Sequence, residues 1–228
     1  MKRKIVLIMA LVSVMATVAL ADSLVGVTTR TGNDTAVWSQ LGAPGDPISN
    51  PFTATSNGGV GITGSFDGGG NGQVMQEGNN WFGNFAVNDF LVWTNSPGQG
   101  PLTLSLSQGV SQIGAQIQAD FFGSFTAMIQ AFDSNGNLLG SFSEAGNSTG
   151  DEDNSAIYIG IQDLTGANIA KVTFSLTDCA QDCNDFAINQ LSLTTGGGGG
   201  GVPEPASLML LGSGLVGIAN LARRRSRK

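Results

Sequence analysis

The stretch Leu102-Thr103-Leu104-Ser105-Leu106, followed closely by Gln112-Ile113-Gly114-Ala115-Gln116-Ile117-Gln118-Ala119, alternates apolar and small or polar side chains. A strand turns successive side chains to opposite faces, so a period of two describes strands with one face in a core and the other toward solvent. A surface helix would instead place apolar residues three and four apart, and no long segment of this chain has that spacing. Working outward, short runs of period-two or wholly apolar character recur between clusters of Gly, Asn, Ser and Thr. They predict strands over 24–29, 35–41, 60–66, 90–94, 102–106, 112–119, 125–132, 138–142, 156–161, 169–176 and 186–193. Asp133-Ser134-Asn135-Gly136-Asn137 lies between two of them and contains the Asn-Gly pair of a tight hairpin. The expectation is one all-β domain over 22–195, a sandwich or barrel, of a size that supports a single core.

Charge limits what such a domain can bind. Of the ten Lys and Arg, three are Lys2, Arg3 and Lys4 and five are Arg223, Arg224, Arg225, Arg227 and Lys228, which leaves only Arg30 and Lys171 between Asp22 and Thr195. Sixteen of the seventeen acids lie in that same span, so two positive charges face sixteen negative ones and the formal charge is −14. Nucleic acid binding rests on Lys and Arg against phosphate and is excluded. The chain has no histidine. Ser-His-Asp and Cys-His catalysis and every His-based metal site are therefore excluded, and an enzyme here would have to work with carboxylates, as glycosidases do.

The two ends carry addresses. Lys2-Arg3-Lys4, an apolar run over 5–20 and Ala19-Leu20-Ala21 give the order of a secretory signal, with cleavage expected after Ala21 and Ala19 and Ala21 as its small residues. After the flexible Gly spacer 196–201 come Val202-Pro203-Glu204-Pro205, an apolar stretch over 206–222 and the basic cluster. That stretch is about 26 Å long as a helix, just enough to span a membrane, and the basic end stays cytoplasmic by the positive-inside rule. Both ends predict export of the domain between them.

Val202-Pro203-Glu204-Pro205-Ala206-Ser207-Leu208 ahead of a Gly-containing apolar stretch and an Arg-rich end resembles the PEP-CTERM sorting domain, a segment also called an ice-binding protein C-terminal domain. The resemblance implies that a membrane transpeptidase of the exosortase type reads the Pro-Glu-Pro of a bacterial exported protein, in organisms that make exopolysaccharide or biofilm. The product is then anchored at the cell surface through a C-terminal membrane helix or released after processing. Across about 88–193, Asn88-Asp89-Phe90-Leu91, Ala131-Phe132-Asp133-Ser134-Asn135-Gly136-Asn137, Val172-Thr173-Phe174 and Asn184-Asp185-Phe186-Ala187-Ile188 are similar to the jelly-roll, galactose-binding-like domains found in many such proteins. This implies a jelly-roll β-sandwich and contact with carbohydrate.

Gly59-Val60-Gly61-Ile62-Thr63-Gly64 fits the dinucleotide fingerprint by letter, but Ser65-Phe66-Asp67-Gly68-Gly69-Gly70 cannot supply the helix that fingerprint needs. Cys179 and Cys183, the only cysteines, are expected to form a local disulfide in the oxidising space outside the cell. The same loop holds Asp178, Asp182 and Asp185, and a second acidic run is Asp151-Glu152-Asp153. They read first as solvated loop charges; the alternative is a calcium site at Asp178, Asp182 and Asp185, although no EF-hand spacing is present. Beyond that calcium no cofactor is expected. Trp38, Trp81 and Trp93 serve equally as core residues or as stacking platforms for sugar rings. The expected role is a non-catalytic structural or carbohydrate-binding protein of the cell surface. The alternatives are a carboxylate-dependent glycosidase and an ice-binding surface, the latter requiring a flat, regular Thr-rich face.

Overall fold

The alternation in 112–119 becomes a strand whose odd residues, Ile113, Ala115, Ile117 and Ala119, are buried in the main core while Gln112, Gly114, Gln116 and Gln118 face the other way. The computed structural model describes residues 24–196. The signal segment with Ala19 and Ala21, the Gly spacer beyond Gly196, and the segment 202–228 with its membrane stretch lie outside the described residues. Fifteen strands follow in order: β1 Leu24–Val27, β2 Asp34–Ala36, β3 Pro47–Ile48, β4 Phe52–Thr55, β5 Gly61–Phe66, β6 Gly72–Gln76, β7 Phe90–Trp93, β8 Leu102–Val110, β9 Gln112–Ala119, β10 Gly123–Phe132, β11 Leu138–Ser148, β12 Ile157–Asp163, β13 Ile169–Thr177, β14 Phe186–Ile188 and β15 Leu191–Thr194.

They form two antiparallel sheets. The first runs β1-β12-β9-β14-β7-β6-β3, with β15 pairing both β9 and β2; the second runs β11-β10-β13-β8-β5-β4. Pairs nest around the β10–β11 hairpin: β9 with β12, β8 with β13, β7 with β14. The inner faces meet through Leu102, Leu104, Ile113, Ile117, Ile129, Val172, Phe174 and Phe186, all inaccessible to solvent. This is the packed β-sandwich that the alternation predicts. Asp133 stabilises the hairpin turn by accepting from the backbone N–H of Asn135 at 2.9 Å and of Asn137 at 2.8 Å, with Gly136 at φ 83°.

Some elements differ from the sequence expectation. The strand expected over 35–41 ends at Ala36 and gives way to a 3-10 turn, Trp38–Leu41, because the Trp38 indole N–H is drawn inward to the Asn189 carbonyl at 2.7 Å. The strand expected over 186–193 is two, β14 and β15, broken at Asn189. That side chain donates to Gln116 Oε1 at 2.6 Å and Asp89 at 2.9 Å and accepts from the Gln116 N–H at 3.0 Å, so it takes the place of ladder bonds. The short strands β3, β4 and β6 lie outside the expected set; their runs are brief and flanked by Pro and Gly, and β4 forms a hairpin with β5 while β3 pairs with β6 and β6 with β7. The glycine fingerprint leads into strand β5, with no helix after it. Among the described residues no helix is long and apolar enough to cross a membrane.

Candidate binding cleft on the outer face of the first sheet

Strand parity decides which side chains reach the outer face of the first sheet. On β7, Val92 points into the main core and Leu91 and Trp93 point out; on β14, Ile188 and Phe186 point in and Ala187 points out; on β6, Val74 points in and Met75 out. Ala187 stands opposite both Trp93 on β7 and Gln118 on β9, so Trp93, Ala187 and Gln118 form one row across three strands. The next outward positions are Asp185 and Asp120, joined by a backbone bond from the Asp120 N–H to the Asp185 carbonyl at 3.0 Å. Directly opposed residues of an antiparallel pair project from the same face, so the two carboxyls stand side by side.

A loop from Glu77 to Ala86 folds over this face and makes a second, smaller core of Met75, Trp81, Phe85, Leu91, Ala156 and Ala187. Glu77, almost wholly buried, holds the loop from inside: its carboxylate accepts from the Gly83 N–H at 2.7 Å and the Phe85 N–H at 3.1 Å. Burial nevertheless pushes its pKa up, and these backbone bonds offset only part of that cost. The rim is tied down by buried amides. Gln118 accepts from the Asn84 N–H at 2.7 Å and donates to Ser148 Oγ at 2.7 Å, to the Thr149 carbonyl at 3.0 Å and to Asn84 Oδ1 at 3.1 Å. Gly83 has to be glycine, since a Cβ there would collide with Gln118 Oε1 and Trp81 Nε1.

Between loop and sheet lies an open cleft of about 390 Å³ lined by Met75, Asn80, Trp81, Phe82, Trp93, Ser96, Gln118, Asp120 and Phe122. The Trp81 and Trp93 rings meet edge to face, their centroids 6.0 Å apart at 65°. Phe82 and Phe122 flank them and are 58 % and 60 % exposed, an unusual outlay of aromatic surface to water. Asp185 is buried behind the lining and accepts from the Trp93 indole N–H at 2.6 Å. Burial, with the nearby Asp120 and Asp182 charges adding, pushes its pKa up to about 6 in spite of that bond. Asp120 is half-buried, and burial raises its pKa with no hydrogen bond to offset it.

The described residues singled out from sequence divide between core, cleft and loops. Trp38 is fully buried core, edge to face with Phe52 at 6.4 Å; Trp81 and Trp93 line the cleft. Cys179 and Cys183 are bonded to each other, with an S–S distance of 2.10 Å and Cα atoms 5.4 Å apart. The calcium arrangement is not assembled: among the described residues no three acidic groups gather as metal ligands. Asp178 is exposed, and Asp182 accepts from the Asn184 N–H at 2.8 Å and the Gly98 N–H at 3.3 Å. Asp185 is carried by strand parity toward Trp93. In the other acidic run, Asp153 accepts from the Ser155 hydroxyl at 2.5 Å, the Ser155 N–H at 3.0 Å and Asn84 at 3.3 Å, bonds that hold its pKa down. Sequence reasoning missed Phe82, Gln118, Asp120 and Phe122. The signal available was parity: Gln118 and Asp120 continue the outward register of 112–119, with an aromatic two residues on.

Past the last strand, Pro203-Glu204-Pro205 precedes an apolar run and the arginine cluster. Residues 201–228 match the PEP-CTERM protein-sorting motif. The PEP-CTERM match is confined to that end and leaves the sandwich outside it. No curated protein matches the chain. Among solved structures, a DUF4465 family protein from Bacteroides caccae ATCC 43185 aligns at 15 % identity over 71 % of this chain and 100 % of its own, with a TM-score of 0.39.

Proposed function

We propose that this is an exported bacterial surface protein, delivered by an exosortase-type enzyme through its PEP-CTERM tail, whose jelly-roll sandwich is a non-catalytic carbohydrate-binding module. The nested pairing of β7 with β14, β8 with β13, β9 with β12 and β10 with β11 supports the jelly-roll reading. The observation that carries the binding reading is the cleft itself: the half-buried Trp93 and two exposed phenylalanines supply faces for sugar rings over a floor that includes Trp81, and Asn80, Ser96 and Asp120 supply polar groups for hydroxyls. A glycosidase needs two carboxyl groups flanking the scissile bond. Here Asp120 alone lines the cleft, because its neighbour Asp185 is buried and bonded to Trp93.

The ice-binding alternative finds less support. The outer face of the second sheet does carry hydroxyls, with Thr103 and Thr173 bonded at 3.0 Å and Thr53 opposite Thr63. Met128 and Gln130 on β10 and Lys171 over the Phe132 ring at 4.3 Å interrupt the row, so no regular lattice of threonines results.

The test is titration of the full-length protein, solubilised in detergent, with a panel of soluble oligosaccharides. Saturable binding that Phe122→Ala weakens at least tenfold is the expected result, since Phe122 is exposed and its loss leaves the cores intact. Binding indifferent to Phe122→Ala overturns the cleft assignment. Release of reducing sugar that Asp120→Asn abolishes overturns the non-catalytic role.

A further inference from the structure

The cleft has aromatic walls and a carboxylate, yet no cation among the described residues serves it. Asp120 is half-buried in the lining, and no hydrogen bond offsets the cost of its burial. Asp185 stands beside it on the neighbouring strand, and Asp182 adds a third negative charge from the disulfide loop. Only two basic side chains occur in the described residues, and both are placed elsewhere. Lys171 lies over the Phe132 ring of the second sheet, and Arg30 borders a separate hollow with Gln116, Asn154 and Tyr158.

Such a site is complementary to a positive charge in two ways. A carboxylate out of water gains most from a cation brought to it, because the local dielectric is low and nearby acids reinforce the field. Aromatic faces attract the same cation through their quadrupoles, tryptophan most strongly. A neutral hydroxyl could bond to Asp120 but would leave the charge of the group uncompensated.

Resting on the carbohydrate reading above, we propose that the cleft selects sugars bearing a free ammonium group, that is, de-N-acetylated amino-sugar polymers, with the ammonium seated at Asp120 among the Trp81, Trp93, Phe82 and Phe122 rings. The pyranose faces lie on the exposed phenylalanines, and the charge sits against the carboxylate. N-acetylation removes the charge and replaces it with a bulkier amide, so it acts against binding both electrostatically and sterically.

Calorimetry on the detergent-solubilised full chain tests this with three hexamers: glucosamine, N-acetylglucosamine and glucose. The expected result is affinity for the glucosamine hexamer at least tenfold above the other two. Asp120→Asn should collapse that preference to within about twofold, chiefly through weaker binding of the glucosamine hexamer. Glu144→Gln, on the second sheet, serves as the control for bulk attraction between a polyanion and a polycation and should change nothing. Equal binding of all three hexamers overturns the ammonium selection and leaves the carbohydrate reading standing. Loss of preference in Glu144→Gln as large as in Asp120→Asn assigns the effect to net charge and overturns the site. Absence of binding to all three hexamers, with binding elsewhere in the oligosaccharide panel, overturns the ammonium selection alone; absence throughout the panel overturns both readings.

Discussion

Asp185 shows what single side chains cost and contribute here. Its carboxylate is buried on the outer face of the first sheet, bonded to Trp93, and its pKa is pushed up to about 6 from 3.8 chiefly by burial, with Asp120 and Asp182 adding repulsion. A folded-state pKa raised above the unfolded value means that ionisation is a penalty on the fold, fully present above about pH 6 and absent below the unfolded pKa. Asp185→Asn keeps an acceptor for the Trp93 indole N–H and removes the charge. It should stabilise the protein at pH 7 by on the order of 1–3 kcal/mol. Denaturant melts of the two proteins should converge as pH falls from 7 toward 4; a gap that widens on acidification would contradict the assignment.

At the scale of elements, the cleft depends on loops that are held rather than on strands that hold. The loop from Glu77 to Ala86 is anchored by a buried carboxylate and by Gln118 on β9, and the loop before β8 meets the disulfide loop, where Gly98 donates to Asp182 and Gly100 to the Asn184 carbonyl at 2.9 Å. The Cys179–Cys183 bond closes a ring of five residues, and in the chain-entropy model so short a closure is worth only about 2 kcal/mol. Reduction should therefore raise amide hydrogen exchange across 178–185 and 95–100 while β8, β9 and β13 keep their protection. Exchange that rises uniformly over both sheets would show that the disulfide supports the whole sandwich.

For the whole molecule, the PEP-CTERM match at 201–228 places the sorting signal in the tail, outside the sandwich. Replacing Pro203, Glu204 and Pro205 together by Ala leaves an apolar stretch with a basic end but removes the feature a sorting enzyme would read. The expected outcome is unprocessed precursor accumulating in the membrane fraction, followed by immunoblot, with oligosaccharide binding by the solubilised protein unchanged. Processing at the normal rate would break the link between the motif and its enzyme.

The sequence by itself determined the quantities that are local or additive. Alternation in 102–106 and 112–119 specified strands and their buried faces, because side-chain direction along a strand is fixed by backbone geometry. Composition left the described domain with Arg30 and Lys171 as its only bases, and the tail motif could be read letter by letter. The cleft was not legible in this way. Trp93, Asp120 and Asp185 are far apart in the chain, and only the β9–β14–β7 register brings them to one end of one face, over which the loop from Glu77 to Ala86 lays Trp81. Likewise the three acids of 178–185 look equivalent in the sequence, yet parity buries Asp185 beside Trp93 and leaves Asp178 in solvent. Pairing between distant strands is decided by the cooperative packing of both sheets, so which outward residues become neighbours was settled only by the tertiary structure.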